Sequence, residues 1–157
     1  MPTSIRLSAT AFSANAAIPV RYTCQGQDIS PSLSWTEPPD NTRSFALVLH
    51  DPDAPSIGGW DHWVVYNIPA TIRALPEAQP KTDPLPNGGL QGRNSWGNIG
   101  YGGPCPPTGP AHRYQFSLYA VDAILPLQAG ATKAQLLQVL GGHILEEALL
   151  QGTYQRQ

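Results

Sequence analysis

The chain has 157 residues, of which 41% are hydrophobic and only 13% are charged, and its net charge is −2. This length fits one domain spanning residues 1–157, and the lack of a basic footprint argues against a nucleic-acid or membrane-surface binder. No apolar stretch reaches the roughly 20 residues of a membrane span. No continuous signal-peptide core follows Met1, so the cytoplasm is the expected compartment.

The first third of the chain predicts short strands separated by turns. Apolar and polar residues alternate over residues 4–8, as in a half-buried strand. Residues 20–23 and 33–35 are two further strand candidates. The 15 glycines and 17 prolines favour turns and oppose long helices.

Three longer apolar runs predict the central strands. Residues 45–49 form a short, continuous apolar run that fits a strand buried on both faces. Residues 63–68 and 113–121 are similar and end at Pro69 and Asp122. Between them, residues 75–109 are dense in Gly, Pro and Asn, and an irregular segment of this length often carries function.

The carboxyl-terminal part predicts a helix over residues 132–151. Apolar residues recur there at helical spacing, with Thr132 as the N-cap and Gly152 as the stop. The Gly141-Gly142 pair weakens the middle of this helix and predicts a break or close packing there. His143 is expected to be a structural residue of the helix.

The two cysteines, Cys24 and Cys105, do not make a disulfide framework. A pair is compatible with the sequence if the fold joins them, but two reduced thiols are the favoured interpretation.

Ionisable residues cluster where strands meet loops, in three segments. These are His50-Asp51-Pro52-Asp53-Ala54-Pro55, Gly58-Gly59-Trp60-Asp61-His62-Trp63, and the run from Gly100 to Tyr114 that contains Gly103-Pro104-Cys105-Pro106-Pro107 and His112-Arg113-Tyr114. Such junctions can converge at one rim of a sheet, where the strands fix the backbone and the loops shape a cavity.

In their order, these segments resemble the signature of the phosphatidylethanolamine-binding protein family, also called Raf-kinase-inhibitor-like proteins. Residues 23–35 and 141–154 resemble its bacterial and archaeal branch, so the resemblance covers nearly the whole chain. It implies an antiparallel β-sandwich with a helix near the carboxyl terminus, in agreement with the mainly β pattern.

The resemblance also implies a pocket for small anions such as phosphate and phospholipid head groups. Its polar lining would be Asp51, His62, His112 and Tyr114, and its walls Ala54, Pro55, Trp60, Gly103 and Pro106. Asp53 is a further candidate ligand-binding residue, with loop support as its favoured role.

The chemistry of these side chains fits anion binding. Two histidines can donate ring N–H bonds to an oxyanion, and a nearby aspartate fixes their tautomer. Gly102 and Gly103 would let backbone N–H groups approach the anion. No arginine clamp is evident unless Arg113 turns inward, and a salt bridge is the favoured role of Arg113.

The predicted function is therefore non-enzymatic binding of a small anionic or phosphorylated ligand. From the resemblance, a kinase or protease is the expected protein partner, and a homodimer is the expected assembly. The alternative is a hydrolase or lyase that uses the Asp/His pocket, with Cys105 and His112 as a candidate nucleophile–base pair. Neither a cofactor nor a metal is expected, because the sequence has no tight His-x-x-x-His pattern, and His50 is expected to pack at a strand end.

Overall fold

The structure, a computed structural model, describes residues 4–82 and 84–157. Met1, Pro2 and Thr3, where the signal-peptide expectation begins, and Asp83, within the predicted irregular segment, lie outside the described residues. In chain order the elements are β1 (Leu7–Ala9), β2 (Leu33–Trp35), β3 (Ser44–Asp51), β4 (Trp60–Pro69), β5 (Ala74–Leu75), β6 (Leu90–Gln91), β7 (His112–Val121), α1 (Lys133–Leu140) and β8 (Ile144–Tyr154).

These strands form two antiparallel sheets that pack face to face. The small sheet has the order β1-β2-β5, and the large sheet has the order β6-β4-β3-β7-β8. Buried side chains of both sheets, such as Leu33 and Trp35 from β2 and Phe45 and Leu47 from β3, fill one core between them. The expectation of a mainly β, antiparallel sandwich is confirmed.

The opposite face of the large sheet is covered by α1. Leu136 and Leu140 of the helix pack against Val48 and Val64 of the sheet in a second core. Alternate residues of β3 therefore enter the two cores, which confirms the prediction of a strand buried on both faces.

The prediction of a helix over residues 132–151 is wrong in its second half. Thr132 does cap α1, with a capping box that includes Gln135, but the helix ends at Leu140. Gly142 then adopts a φ of +80°, and β8 begins at Ile144. The apolar residues of 144–150 also fit a strand, because pairing with β7 satisfies their backbone groups and buries one face. Gly152 is an interior strand residue, and His143 follows the helix and bonds to Asp122.

Two short elements near the amino terminus also differ from the prediction. Residues Val20–Tyr22 form a 3₁₀ helix, with Thr23 donating its backbone N–H to Val20, and not a strand. The first strand begins at Leu7, and Ile5 donates its backbone N–H to the Glu146 carboxylate. Among the described residues of the range 75–109, the strands are β6 and the end of β5.

In the described part of the chain, no helix has the length and apolar character that a membrane crossing requires.

Candidate functional site

A pocket of about 370 Å³ opens at the edge of the large sheet where β3 ends and β4 and β7 begin. Neighbouring strands of this sheet run in opposite directions, so the end of one meets the start of the next at the same edge. The pocket is lined by Asp51, Ala54, Pro55, Ser56, Trp60, His62, Trp96, Cys105, Pro106, Pro107, His112 and Arg156.

Most of the predicted site residues meet in this lining. Seven of them are there, and they come from all three sequence segments: Asp51, Ala54, Pro55, Trp60, His62, Pro106 and His112. The other three, Asp53, Gly103 and Tyr114, lie outside the lining.

Asp51 and His112 form the buried polar centre of the pocket. Asp51 is 2% exposed and His112 is 9% exposed. The Nδ1–H of His112 donates to Oδ2 of Asp51 at 2.7 Å, and Oδ1 of Asp51 accepts from the backbone N–H of Asp53 at 2.8 Å. Both carboxylate oxygens therefore have partners, and the imidazole is held in one orientation.

His62 reaches the same pocket through an irregularity in the sheet. The register of β3 and β4 shifts between Leu49, which pairs with Trp63, and His50, which pairs with Asp61. His62 is thus the extra residue of a β-bulge, a feature that re-aims side chains next to functional sites. Its Nδ1–H donates to the Gly102 carbonyl at 2.7 Å, and its backbone carbonyl accepts from the Gly102 N–H.

The environment of His62 favours its neutral form. The ring is buried, and this burial lowers the pKa of His62 below its usual value, partly opposed by the Gly102 carbonyl and the Asp51 charge. Because a carbonyl accepts only, the remaining proton of the neutral ring lies on Nδ1.

These two bonds change the predicted role of the histidines. In their neutral forms both rings use their only N–H on a protein acceptor, so each Nε2 is a hydrogen-bond acceptor and not a donor. Neither Nε2 atom bonds to any residue that the structure describes. The rings become donors to an anion only when they are protonated.

Asp53 lies outside the pocket in a bidentate pair with Arg113. The guanidinium of Arg113 donates to both carboxylate oxygens of Asp53, and the backbone N–H of Arg113 donates to Oδ2. These hydrogen bonds lower the pKa of Asp53 to about 2. The geometry corresponds to loop support for Asp53 and to a salt bridge, with no inward turn, for Arg113.

Gly103 and its neighbour do not supply free amide groups to the pocket. The Gly103 N–H donates to the Asp28 carboxylate at 2.7 Å, and the Gly102 N–H donates to the backbone carbonyl of His62. The expectation that these amides meet the anion is therefore wrong for this geometry. Position 103 requires a glycine, because a Cβ there would lie 2.2 Å from the carbonyl oxygen of Tyr22.

Tyr114 supports the two histidines from the core side. Its ring packs edge-on to His62 with 5.3 Å between centroids, and it stacks near His112 at 6.4 Å. The ring is fully buried, and burial together with the nearby Asp51 carboxylate raises the pKa of Tyr114 well above its usual value. Tyr114 therefore acts as a neutral platform.

Sequence reasoning missed Trp96 as a wall of the pocket. Asn94 builds the turn that presents it, because its side-chain oxygen accepts from the N–H groups of Trp96 and Asn98. Trp96 then packs edge-on against Trp60 and His62, at 5.6 and 5.0 Å between centroids. The Asn-x-Trp sequence in the long irregular segment was the available signal, since asparagine often bonds the amide two residues on.

Arg156 was also missed, and it is the arginine that lines the pocket. It follows β8, and its Nε–H donates to the Pro106 carbonyl at 2.8 Å, while Nη2 lies 3.3 Å from Sγ of Cys105. Nη1 donates to none of the described residues. The segment that follows β8 thus contributes a basic side chain to the pocket lining.

The favoured interpretation of two reduced thiols is wrong, because Cys24 and Cys105 form a disulfide. The fold brings together two loops 81 residues apart, with 5.4 Å between the Cα atoms, and the Cys24 N–H donates to the Pro104 carbonyl. Cys105 lies in the pocket wall, so the disulfide fixes the proline-rich wall to the loop after the 3₁₀ helix.

His50 packs at the end of β3, away from the pocket. Its Nδ1 lies 2.7 Å from Oδ1 of Asp61, and the ammonium group of Lys133 lies 3.7 Å from the same oxygen. Among the described residues, no group of three or more His, Cys, Asp or Glu side chains is placed to hold a metal ion.

Known proteins resemble this chain over almost its whole length. A family model described as phosphatidylethanolamine-binding protein matches residues 8–155. A protein of Methanothermobacter thermautotrophicus named UPF0098 protein is 49% identical over 152 residues, which cover 97% of this chain and 99% of that protein. A UPF0098 protein of Chlamydia muridarum is 43% identical over 97% of this chain and 99% of its own length.

Two crystal structures have the same fold. A phosphatidylethanolamine-binding protein homologue from Chlamydia trachomatis superposes with a TM-score of 0.89 at 40% identity, covering 98% of this chain and 99% of that one. E. coli YbcL, described as a new member of the mammalian family, superposes with a TM-score of 0.92 at 33% identity, covering 99% of this chain and all of that one.

Proposed function

Because the chain belongs to the phosphatidylethanolamine-binding protein family, we propose that it binds small anionic or phosphorylated ligands in the pocket at the end of the large sheet. The observation that carries the proposal is the convergence of His62, His112 and Arg156 on one cavity of about 370 Å³. Imidazolium and guanidinium groups are the side chains that recognise phosphate and carboxylate oxygens best.

The walls of the pocket favour a ligand with more than a bare phosphate. Trp60 and Trp96 provide aromatic surfaces in the same lining as His62, His112 and Arg156. An amine that follows the phosphate can lie against an aromatic face in a cation–π contact. Phosphoethanolamine is therefore the probe that matches the pocket most fully.

The lining supports binding and not catalysis. Cys105, the candidate nucleophile of the alternative, is in the disulfide with Cys24 and has no free thiol for a Cys–His pair. Ser56 lines the pocket on an exposed loop, outside any Gly-x-Ser-x-Gly elbow. A turnover assay against a panel of phosphoesters tests this part, and hydrolysis lost in His112→Gln would favour the enzyme.

The binding experiment compares two arginine variants. Phosphate and phosphoethanolamine are titrated into the parent protein, into Arg156→Gln and into the matched control Arg43→Gln, an exposed arginine outside the pocket lining. A charge-assisted hydrogen bond contributes about 1.5–3 kcal/mol, so Arg156→Gln should bind at least about tenfold more weakly while Arg43→Gln binds like the parent. If neither probe binds the parent, or if both variants lose the same affinity, the proposal fails.

The compartment is part of the proposal. A disulfide persists most readily in an oxidising environment, so the expected cytoplasmic location requires that the cystine survives there. Alkylating free thiols when cells that make the protein are lysed shows whether the cystine is present in those cells. Alkylated cysteines would mean that the bond is reduced there, and unmodified cysteines would mean that it survives. The kinase or protease partner and the homodimer stay predictions from the family resemblance.

A further inference from the structure

We propose that anion binding in this pocket takes up protons, which are placed on Nε2 of His62 and of His112. The inference deepens the proposed function and rests on it. It concerns the ionisation state in which the site accepts its ligand.

The first support for proton uptake is the hydrogen bonding of the two rings. His62 gives its Nδ1–H to the Gly102 carbonyl, and His112 gives its Nδ1–H to the Asp51 carboxylate, each at 2.7 Å. While both rings are neutral, the pocket presents two Nε2 lone pairs, which repel the oxygen lone pairs of a fully ionised phosphate or sulfate. One proton on each Nε2 turns both rings into charge-assisted donors.

The charges in the lining lead to the same conclusion. Besides the two histidines, the described lining has one acidic side chain, Asp51, and one basic side chain, Arg156, whose formal charges are opposite. A dianion placed in the pocket has no net countercharge unless the imidazoles become cations. Two protons supply the charge that balances a dianion.

Two other carboxylates near the pocket have ion-pair partners of their own. Asp53, on the loop after β3, is paired with Arg113 of β7. Asp61 of β4 is paired with His50 of β3 and Lys133 of α1 on the other side of the strand.

Near neutral pH, the His62 ring has a nitrogen that can accept a proton. Burial lowers the pKa of His62, so this ring enters the binding reaction mainly in its neutral form. Tyr114, which packs against both rings, has a raised pKa and stays protonated, so it neither supplies nor removes charge.

The test uses sulfate, which remains a dianion around neutral pH and cannot bring the proton itself. Sulfate is titrated calorimetrically at pH 7 in bis-Tris and in Tris, two cationic buffers of different ionisation enthalpy. The dependence of the heat on that enthalpy gives the number of protons taken up, and we expect between one and two. Between pH 6 and pH 8 the affinity should fall by up to about tenfold per pH unit for each proton.

Two variants assign the protons. His62→Gln and His112→Gln keep a side-chain N–H for Gly102 and Asp51 but cannot be protonated, so each should lower the uptake by up to about one proton. His143→Gln is the matched control, because His143 bonds to Asp122 outside the pocket lining. Nitrogen NMR of the parent gives a readout that needs no variant: the fraction of each ring that carries a proton on Nε2 should rise as sulfate is added.

The outcomes separate the two proposals. If sulfate or phosphate binds but the heat is independent of the buffer and the affinity is equal at pH 6 and pH 8, proton coupling is wrong and anion binding stands. If neither anion binds the parent, the proposed function and the coupling both fail.

Discussion

The Nδ1–H of His112 donates to Oδ2 of Asp51 at 2.7 Å, with both side chains almost completely buried. Beside this pair, Arg113, the next residue of β7, and Asp53, on the loop after β3, form a second and more exposed charged pair. The end of β3 and the start of β7 are thus joined twice, and the two pairs have different consequences. The inner pair orients a pocket imidazole, whereas the outer pair holds the loop that carries Ala54 and Pro55 to the pocket wall.

We expect Arg113→Gln to loosen the outer pair and leave the inner one intact. The Asp53 pKa, now about 2, should rise towards the usual value near 4, though incompletely because the backbone N–H of residue 113 still donates. A carboxylate with a lowered pKa stabilises the fold above its unfolded pKa, and that stabilisation is lost as the pH falls towards 2. Carbon NMR titration of the Asp53 carboxyl group measures the shift, and Arg43→Gln is the control.

The same variant should retain phosphate affinity within about twofold, because Arg113 lies outside the pocket lining. A large loss of affinity in Arg113→Gln would instead place this arginine in the ligand site.

A second prediction concerns the pH dependence of stability without an anion. Burial lowers the pKa of His62 in the folded state, so the unfolded chain binds this proton more readily. The free energy of unfolding should therefore fall as the pH decreases through about 6.5, the unfolded pKa of histidine. Urea unfolding in chloride buffers from pH 7.5 to pH 5.5 measures it, and His62→Gln should flatten the curve relative to the parent. Equal slopes in the two proteins would contradict the lowered pKa.

The sequence predicted the sheet scaffold well because local patterns determine it. The apolar runs at 45–49, 63–68 and 113–121 all became strands of the large sheet, and the loops beside them met in one pocket. The role of His62 could not be predicted in the same way. It depends on a β-bulge, which arises from how two strands align and leaves no mark on the pattern of either strand.

The other errors have a common origin in contacts between distant segments. The apolar residues of 144–150 recur at helical spacing, but pairing with β7 places them in a strand. The helix assignment in turn hid Arg156, which reaches the pocket only because β8 runs back along the sheet. The disulfide of Cys24 and Cys105 likewise depends on two loops meeting across 81 residues of chain.

We expect the disulfide to contribute strongly to stability. Joining loops 81 residues apart removes many conformations from the unfolded chain, and loss of such a bond costs about 2–5 kcal/mol. In urea unfolding, the double variant Cys24→Ser/Cys105→Ser should show a free energy of unfolding that is lower by this amount, and a reductant should lower that of the parent similarly. The reductant should have no effect on the double variant. Free thiols found in the unfolded, unreduced parent protein would show that the bond does not form.

The glycine pair after α1 gives a sharp test of where the helix ends. Gly142 has a φ of +80°, and a Cβ added there would come within 4 Å of none of the described residues, so Gly142→Ala costs only backbone strain. That strain should lower the free energy of unfolding by about 1–2 kcal/mol. Gly141 has a φ of −53° and also has room for a Cβ, which would lie 3.7 Å from the Gln138 carbonyl oxygen. Gly141→Ala should therefore be neutral or stabilising by about 0.4–1 kcal/mol. If the helix instead continued through residue 151, both substitutions would stabilise the protein, because alanine is favoured over glycine inside a helix.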